Sequence, residues 1–313
     1  MAQAIVYTQF GGPEVLTLVD VPDPVPAEGQ VAIRVEAAGV NPIDGKLRAG
    51  VRASAPLDGP RHVGADGAGI VTAVGAGVDG FRPGDPVAFR SAPGAYATDV
   101  VVAAADVFLR PAGVDAAQGA GLGIPAGTAY QSLRSLGVRA GDTLLIHGGS
   151  GAVGQAAIQF AVLWGARVLA TTSDARADRV RALGAEPLAY GAGLVDRVRT
   201  VAPDGVTAIL DAAGTDEAIE ASLELLADRS RIATIVRGRD AAGWGIRAFS
   251  GGSPEPLTAQ QQAWRTEAVP VALALIAAGR FDVEVGATYP LAEAAAAQTA
   301  SQSGAPGKLI VAP

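Results

Sequence analysis

The feature that most constrains this chain is Leu144-Leu145-Ile146-His147-Gly148-Gly149-Ser150-Gly151-Ala152-Val153-Gly154. A short apolar run feeds into a glycine-rich turn, and Gln155-Ala156-Ala157-Ile158-Gln159-Phe160 continues it with helical character. Gly149, Gly151 and Gly154 satisfy G-x-G-x-x-G. In a strand–turn–helix this spacing supplies a tight turn, backbone approach to a pyrophosphate and close packing of helix on sheet. The helix start adds N–H groups and a partial positive charge. In a chain with 41 glycines the match alone is weak, but a second strand, Arg167-Val168-Leu169-Ala170-Thr171-Thr172, arrives at the spacing of a βαβ unit. Gly149, Ser150, Gly151, Ala152, Val153 and Gly154 are therefore expected to hold a dinucleotide.

Composition narrows the chemistry. The 313 residues suffice for two domains, and no apolar run reaches the roughly 18–20 residues of a membrane span. The opening Met1-Ala2-Gln3-Ala4-Ile5-Val6-Tyr7 reads as a strand without a basic leader, so a cytoplasmic location is expected. A net charge of −7 argues against nucleic acid or an acidic membrane as partner. There is no cysteine, and the two histidines, His62 and His147, stand far apart in sequence. A catalytic zinc usually needs three protein ligands, so no metal site is expected.

The first 120 residues read as short strands at 4–7, 16–21, 30–38, 67–74, 86–88 and 96–102, punctuated by glycine and proline. That spacing suggests an antiparallel barrel or sandwich. From residue 124 strands and helices alternate: a helix at 128–136, strands at 143–147, 167–172, 208–211 and 231–236, and helices at 177–183 and 217–226. Thr258-Ala259-Gln260-Gln261 reads as a capping box opening a long helix that stops near Gly279. The strand at 308–311 is expected to rejoin the first domain, which gives boundaries of 1–123 with 258–313, and 124–257.

Several motifs follow one order along the chain: Ala38-Gly39-Val40-Asn41-Pro42-Ile43-Asp44, then Gly64-Ala65-Asp66-Gly67-Ala68-Gly69-Ile70-Val71, then Phe81-Arg82-Pro83-Gly84-Asp85-Pro86-Val87. Gly127-Thr128-Ala129-Tyr130, the glycine turn and Gly307-Lys308-Leu309-Ile310-Val311 complete the set. Together they resemble the medium-chain dehydrogenase/reductase superfamily, in its zinc-independent quinone oxidoreductase branch. The resemblance implies the α/β class: a Rossmann doubly wound parallel sheet plus a GroES-like, mainly β catalytic domain, with a nicotinamide between them. Zinc-dependent members carry Cys where this chain has Asn41 and His where it has Ala65.

For the cofactor, an NAD-specific sheet ends its second strand with an acidic residue, and here that position is Thr172. Ser173 and Arg176 can instead hold a 2′-phosphate, so NADPH is expected, with Asp174 read as a cap of the next helix. The resemblance further places Asn41, Asp44 and Thr128 around the nicotinamide as catalytic residues, Tyr190 near the adenine and Ile235 beside the carboxamide. Asn41 either donates to a substrate carbonyl or caps its own turn; Asp44 either serves the reaction or starts a helix. Lys46 stands where relatives often have tyrosine. Its ammonium either stabilises an enolate, pairs with Asp44 or is a solvated surface group. Arg52 replaces an aromatic residue of some relatives and suggests a polar pocket mouth. Lys308 is read as an anchor near the cofactor or at the strand start, and His147 as structural.

Without metal or thiolate, hydride transfer favours acceptors that delocalise the resulting charge, so a small-molecule quinone or enone substrate is expected. The alternatives are an enoyl reductase of a polyketide-like pathway and a non-catalytic NADPH-binding sensor. A homodimer is expected, and residues 237–255 read either as a specificity lid or as carrying a dimer-forming strand at 246–250.

Overall fold

Short strands rich in valine and alanine build the first of two units into which the chain divides, Met1–Ile124 together with Val269–Pro313. The computed structural model describes residues 1–52, 56–249, 253 and 255–313. A seven-stranded sheet runs in the order Val285–Pro290, Lys308–Ala312, Gln30–Gly39, Asp66–Val74, Pro86–Phe89 and Val107–Leu109, with Asp99–Ala103 also paired to Gln30–Gly39. Its pairings are antiparallel except the one between Val285–Pro290 and Lys308–Ala312. A second sheet pairs Thr17–Val21, Ala2–Tyr7 and Arg61–His62. Val31, Ile33, Val71, Val87, Phe89, Val100 and Val311 share one buried cluster, each such side chain contributing about 1.5–3 kcal/mol on burial. The C-terminal strand sets Ile310 opposite Gly39 and Val311 opposite Ala38, which brings Lys308 to the chain just beyond Gly39.

In the second unit, Pro125–Ala268, six parallel strands run in the order Glu186–Ala189, Arg167–Thr172, Thr143–His147, Ala208–Asp211, Ile232–Thr234 and Arg247–Ala248. The first strand in sequence is central. The chain winds outward to one side and then returns to build the other, which is the Rossmann order. Leu145, Leu169, Ile209 and Ile232 from four adjacent strands are fully buried. The glycine turn follows the strand at the point where the winding reverses.

Several boundaries differ from the sequence expectation. The helix expected at 128–136 starts at Gly123, because the carboxylate of Asp66 accepts from Ile124 N at 2.7 Å and caps the earlier turn. The return to the first unit falls not at 258 but between Ala268 and Val269, inside the helix Ala259–Ala277. The first half of that helix is tied to the second unit by Arg265 on Thr128 and by Glu267 on Tyr130. The helices Ala116–Ala120 and Leu194–Val201 were not expected, and Pro42–Arg48 answers to the reading of Asp44 as a helix-starting residue. Within 237–255, Arg247–Ala248 adds an edge strand to the parallel sheet; residues 250–252 and 254 of that segment lie outside the described residues. Among the described residues no helix is long and apolar enough to cross a membrane.

Candidate active site and nucleotide site

The glycine turn packs as its spacing requires. Gly148 has φ +80°, a conformation that favours glycine. Its N–H donates to Thr171 Oγ1 at 3.1 Å, and Gly149 N donates to Thr171 O at 2.9 Å, which holds the turn to the second strand. A Cβ on Gly154 would lie 2.2 Å from the Gly148 carbonyl oxygen, so helix and turn touch backbone to backbone. Gly151 differs: a Cβ there would meet only Gly148 O, at 3.6 Å, and the space beyond is open. Gly151 is also the N-cap of the helix Ala152–Leu163, with no side chain capping the first turn. The uncapped N–H groups therefore face open space, a cradle that fits a phosphate.

Gln155 braces this turn: its Nε2 donates to Ser150 O at 2.8 Å and its Oε1 accepts from Arg179 Nε at 2.8 Å. Thr172 ends the second strand, buried, with its Oγ1 unpartnered. Ser173 and Arg176 follow on the short 3-10 turn Asp174–Arg176, Ser173 as its N-cap. Asp174 does not cap the next helix as expected. It is the exposed first residue of this turn, and the helix Ala177–Ala182 has Arg176 as its N-cap with no side-chain cap bond. Tyr190 is exposed at the end of the third strand.

Ile235 is set by Asp211, whose main-chain oxygen accepts Ile235 N at 3.0 Å. The buried Asp211 carboxylate accepts from Ala213 N, Gly214 N and Thr234 Oγ1 at 2.7–3.0 Å, which orders the loops after two neighbouring strands. His147 is buried, with Nε2 3.1 Å from Ser222 Oγ. Since Ser222 donates to Ala218 O at 2.6 Å, its oxygen accepts from His147, so Nε2 carries the proton. Burial holds this imidazole down at about 4. Thr128 lies buried in the second turn of its helix, not at the start, and its hydroxyl accepts from Arg265 Nη2 at 2.7 Å.

The first unit gathers the remaining candidates into one buried cluster. Lys308 Nζ donates to Asn41 Oδ1 at 2.5 Å and to Val40 O at 2.8 Å. Asn41 Nδ2 donates to Asp66 Oδ2 at 3.0 Å and to Gly39 O at 3.2 Å. Asp44 Oδ2 accepts from Asn41 N at 2.9 Å and from Tyr96 Oη at 3.0 Å. The lysine threads through because Gly39 and Gly121 lack side chains: a Cβ on Gly39 would stand 2.8 Å from Lys308 Cε. Asp66 in turn packs on Gly123, where a Cβ would come within 2.2 Å of its Oδ1.

This arrangement corrects two expectations. Asn41 is 2% exposed and both its amide hydrogens are spent on Asp66 and Gly39, so it does not present a donor to a substrate carbonyl. Lys46 is exposed on the outer face of its helix and makes no ion pair with Asp44, whose bonded oxygen takes Asn41 N and Tyr96 Oη. Lys308 opens the C-terminal strand, as one of its two readings had it, and directs its ammonium toward Asn41 and the carboxylate of Asp66. Asp66 and Tyr96 were missed. A lone aspartate among Gly64, Ala65, Gly67 and Ala68 was the available signal for the first, and nothing local marked the second.

Among the described residues no group of three His, Cys, Asp or Glu side chains converges to hold a metal ion. The donor set that a zinc would need is not supplied by Asn41, Ala65 and a chain without cysteine.

Residues 27–120 match the family model described as alcohol dehydrogenase GroES-like domain, and residues 152–242 the one described as zinc-binding dehydrogenase. A quinone oxidoreductase of Pseudomonas aeruginosa is 32% identical over 96% of this chain and 95% of its own length. The human quinone oxidoreductase is 40% identical over 183 residues, 58% of this chain; the match spans about half (55%) of that protein. The structure of an Escherichia coli quinone oxidoreductase complexed with NADPH superposes with a TM-score of 0.85 at 27% identity, covering 99% of this chain and all of that one.

Proposed function

The chain belongs to the medium-chain dehydrogenase/reductase superfamily, in its quinone oxidoreductase branch, and from that premise we propose that it reduces quinones or α,β-unsaturated carbonyls with NADPH and without a metal. The observation that carries this reading is the open, uncapped backbone at Gly151, in a turn whose other glycines are closed by packing. NADPH, when bound, supplies the hydride. The N–H groups of Ala152 and Val153 would hold its pyrophosphate, with Gly151, whose own N–H donates to Gly148 O, leaving room for its approach. Ser173 and Arg176 would take the 2′-phosphate, and Thr172 Oγ1 offers a hydroxyl at the strand end for the ribose.

The chain's own groups then position and polarise. The Asn41–Asp44–Asp66–Lys308 cluster holds the loop at residues 40–44 rigid, and the Asp211–Thr234 bond fixes the loop that carries Ile235. The edge strand Arg247–Ala248 leaves one side of the parallel sheet unpaired among the described residues, which supports a homodimer.

The test is oxidation of NADPH and NADH against a panel of small quinones and enones, with and without a chelator. Turnover that prefers NADPH and survives the chelator is expected. Tight NADPH binding with no turnover on any acceptor would overturn the reductase reading.

A further inference from the structure

We propose that Tyr96 is a positioning residue: its hydroxyl, held on Asp44 Oδ2, governs the protonation of Asp44 and so sets the pH range in which the enzyme works. This role rests on the reductase reading above, but the geometry beneath it does not. Tyr96 lies outside the motifs that carry the family resemblance, and its phenol reaches Asp44 from a different segment of the chain.

The two oxygens of Asp44 are unequal. Oδ2 accepts from Asn41 N at 2.9 Å and from Tyr96 Oη at 3.0 Å, while no described residue donates to Oδ1. A proton can therefore join or leave Oδ1 without breaking either bond, so both states of the carboxyl fit the same structure. The groups that face it are Lys308, Asp66 and Tyr96, with Asn41 N from its own turn. Burial is the dominant influence and pushes Asp44 up to about 6, against the pull of the Asn41 bond and the Lys308 charge. When Asp44 gives up its proton, the buried cluster it forms with Asp66 and Lys308 gains one negative charge. That charge is felt by any carbonyl oxygen that turns anionic near the loop at residues 40–44.

Tyr96 is suited to this control. Burial and the neighbouring Asp44 push its phenol well above its usual value, so it stays a donor while Asp44 titrates. Its backbone is held independently: Tyr96 N donates to Val63 O at 2.9 Å and its carbonyl accepts Ile5 N at 2.8 Å. The ring lies on Gly64, where a Cβ would come within 2.5 Å of Cδ1. Gln298 sits beside the phenol and is itself held by Arg48, whose Nε donates to Gln298 Oε1 at 2.7 Å. Tyr96→Phe therefore removes one hydrogen bond and leaves the ring seated. A phenol that donates to the carboxylate favours the ionised form, so its loss must raise Asp44 further.

The experiment is an infrared pH titration of the cofactor-free protein, with the protonated-carboxyl band of Asp44 identified by its disappearance in Asp44→Asn. In Tyr96→Phe the midpoint of that band should move up by about one pH unit, the size of one charge-assisted hydrogen bond. Tyr130→Phe, which removes a hydroxyl donated to Glu267 in the second unit, should leave it in place. The pH profile of quinone or enone reduction should carry a limb that moves with the band. An unmoved midpoint in Tyr96→Phe overturns the coupling, and a moved midpoint with an unmoved limb overturns the role in the reaction. Absence of turnover at every pH would overturn the reductase reading and this role with it, leaving the infrared shift as a separate result.

Discussion

Lys308 Nζ lies 2.5 Å from Asn41 Oδ1, so a buried ammonium on the C-terminal strand holds the residue that opens the helix Pro42–Arg48. The same ammonium faces Asp66 and Asp44. Lys308→Met keeps the stem but leaves Asn41 Oδ1 and Val40 O without their donor and the carboxylates without their counter-charge. Removing one member of a buried charge network typically costs about 3–5 kcal/mol. Urea unfolding of Lys308→Met should register a loss of that order. A loss below about 1 kcal/mol would mean that packing, not the ammonium, holds the loop.

Two glycines of the turn should fail in different ways. A Cβ on Gly154 runs into the Gly148 carbonyl at 2.2 Å, so Gly154→Ala must push helix from turn. It should cost about 1–3 kcal/mol of stability, as overpacking does, and abolish tight NADPH binding. Gly151→Ala meets nothing closer than 3.6 Å and has an ordinary backbone conformation at the N-cap. Its stability should stay within about 1 kcal/mol of the parent, while NADPH binding weakens about tenfold or more because the methyl group occupies the phosphate's approach. Thermal melts with calorimetric titration of NADPH separate the two. Equal effects on both quantities would refute the cradle at Gly151.

The contrast shows what was legible in the sequence. The parallel sheet was readable because its strands are continuous apolar runs joined by short, glycine-marked connections, and Gly149, Gly151 and Gly154 carry local meaning. The first unit was readable only as scattered strands. Its cluster is assembled by distant pairings, Lys308 reaching Asn41 across 267 positions and Tyr96 reaching Asp44 across 52, and no local pattern encodes those contacts. Asn41, one of whose readings was a cap of its own turn, stands at the N-cap of Pro42–Arg48. That its amide is wholly spent on Asp66 and Gly39 depends on where a separate strand delivers a carboxylate. Thr128 failed as a helix start for the same reason: the cap comes from Asp66, 58 positions from Ile124.

Arg176 should separate the two nicotinamide cofactors. One charge-assisted bond to phosphate contributes about 1.5–3 kcal/mol, so Arg176→Ala should weaken NADPH by about ten- to a hundredfold and leave NADH nearly unchanged. Asp174 is exposed and caps nothing, so its carboxylate only repels a 2′-phosphate nearby. Asp174→Asn should tighten NADPH modestly. Equal losses of both cofactors in Arg176→Ala would place the guanidinium in the fold and not in phosphate recognition.

His147 gives the second unit an acid sensitivity of known sign. Its folded value is held at about 4 by burial, against 6.5 for a free imidazole, so the unfolded chain takes up the proton first. Stability is therefore complete above pH 6.5 and falls as pH drops toward about 4, by about 3 kcal/mol in all. Asp44, in the first unit, acts with the opposite sign: its value is raised to about 6 from 3.8, so the folded chain takes up that proton first and gains stability over the same descent. The measurement must therefore compare variants with the parent. His147→Asn keeps a donor for Ser222 but cannot titrate, so between pH 6.5 and 4 its stability relative to the parent should rise steadily. Asp44→Asn should show the reverse trend, steepest near pH 6 and below. A parent and a His147→Asn variant with parallel stability curves would mean that the imidazole is protonated in the fold, paired with Asp211 across the neighbouring strand.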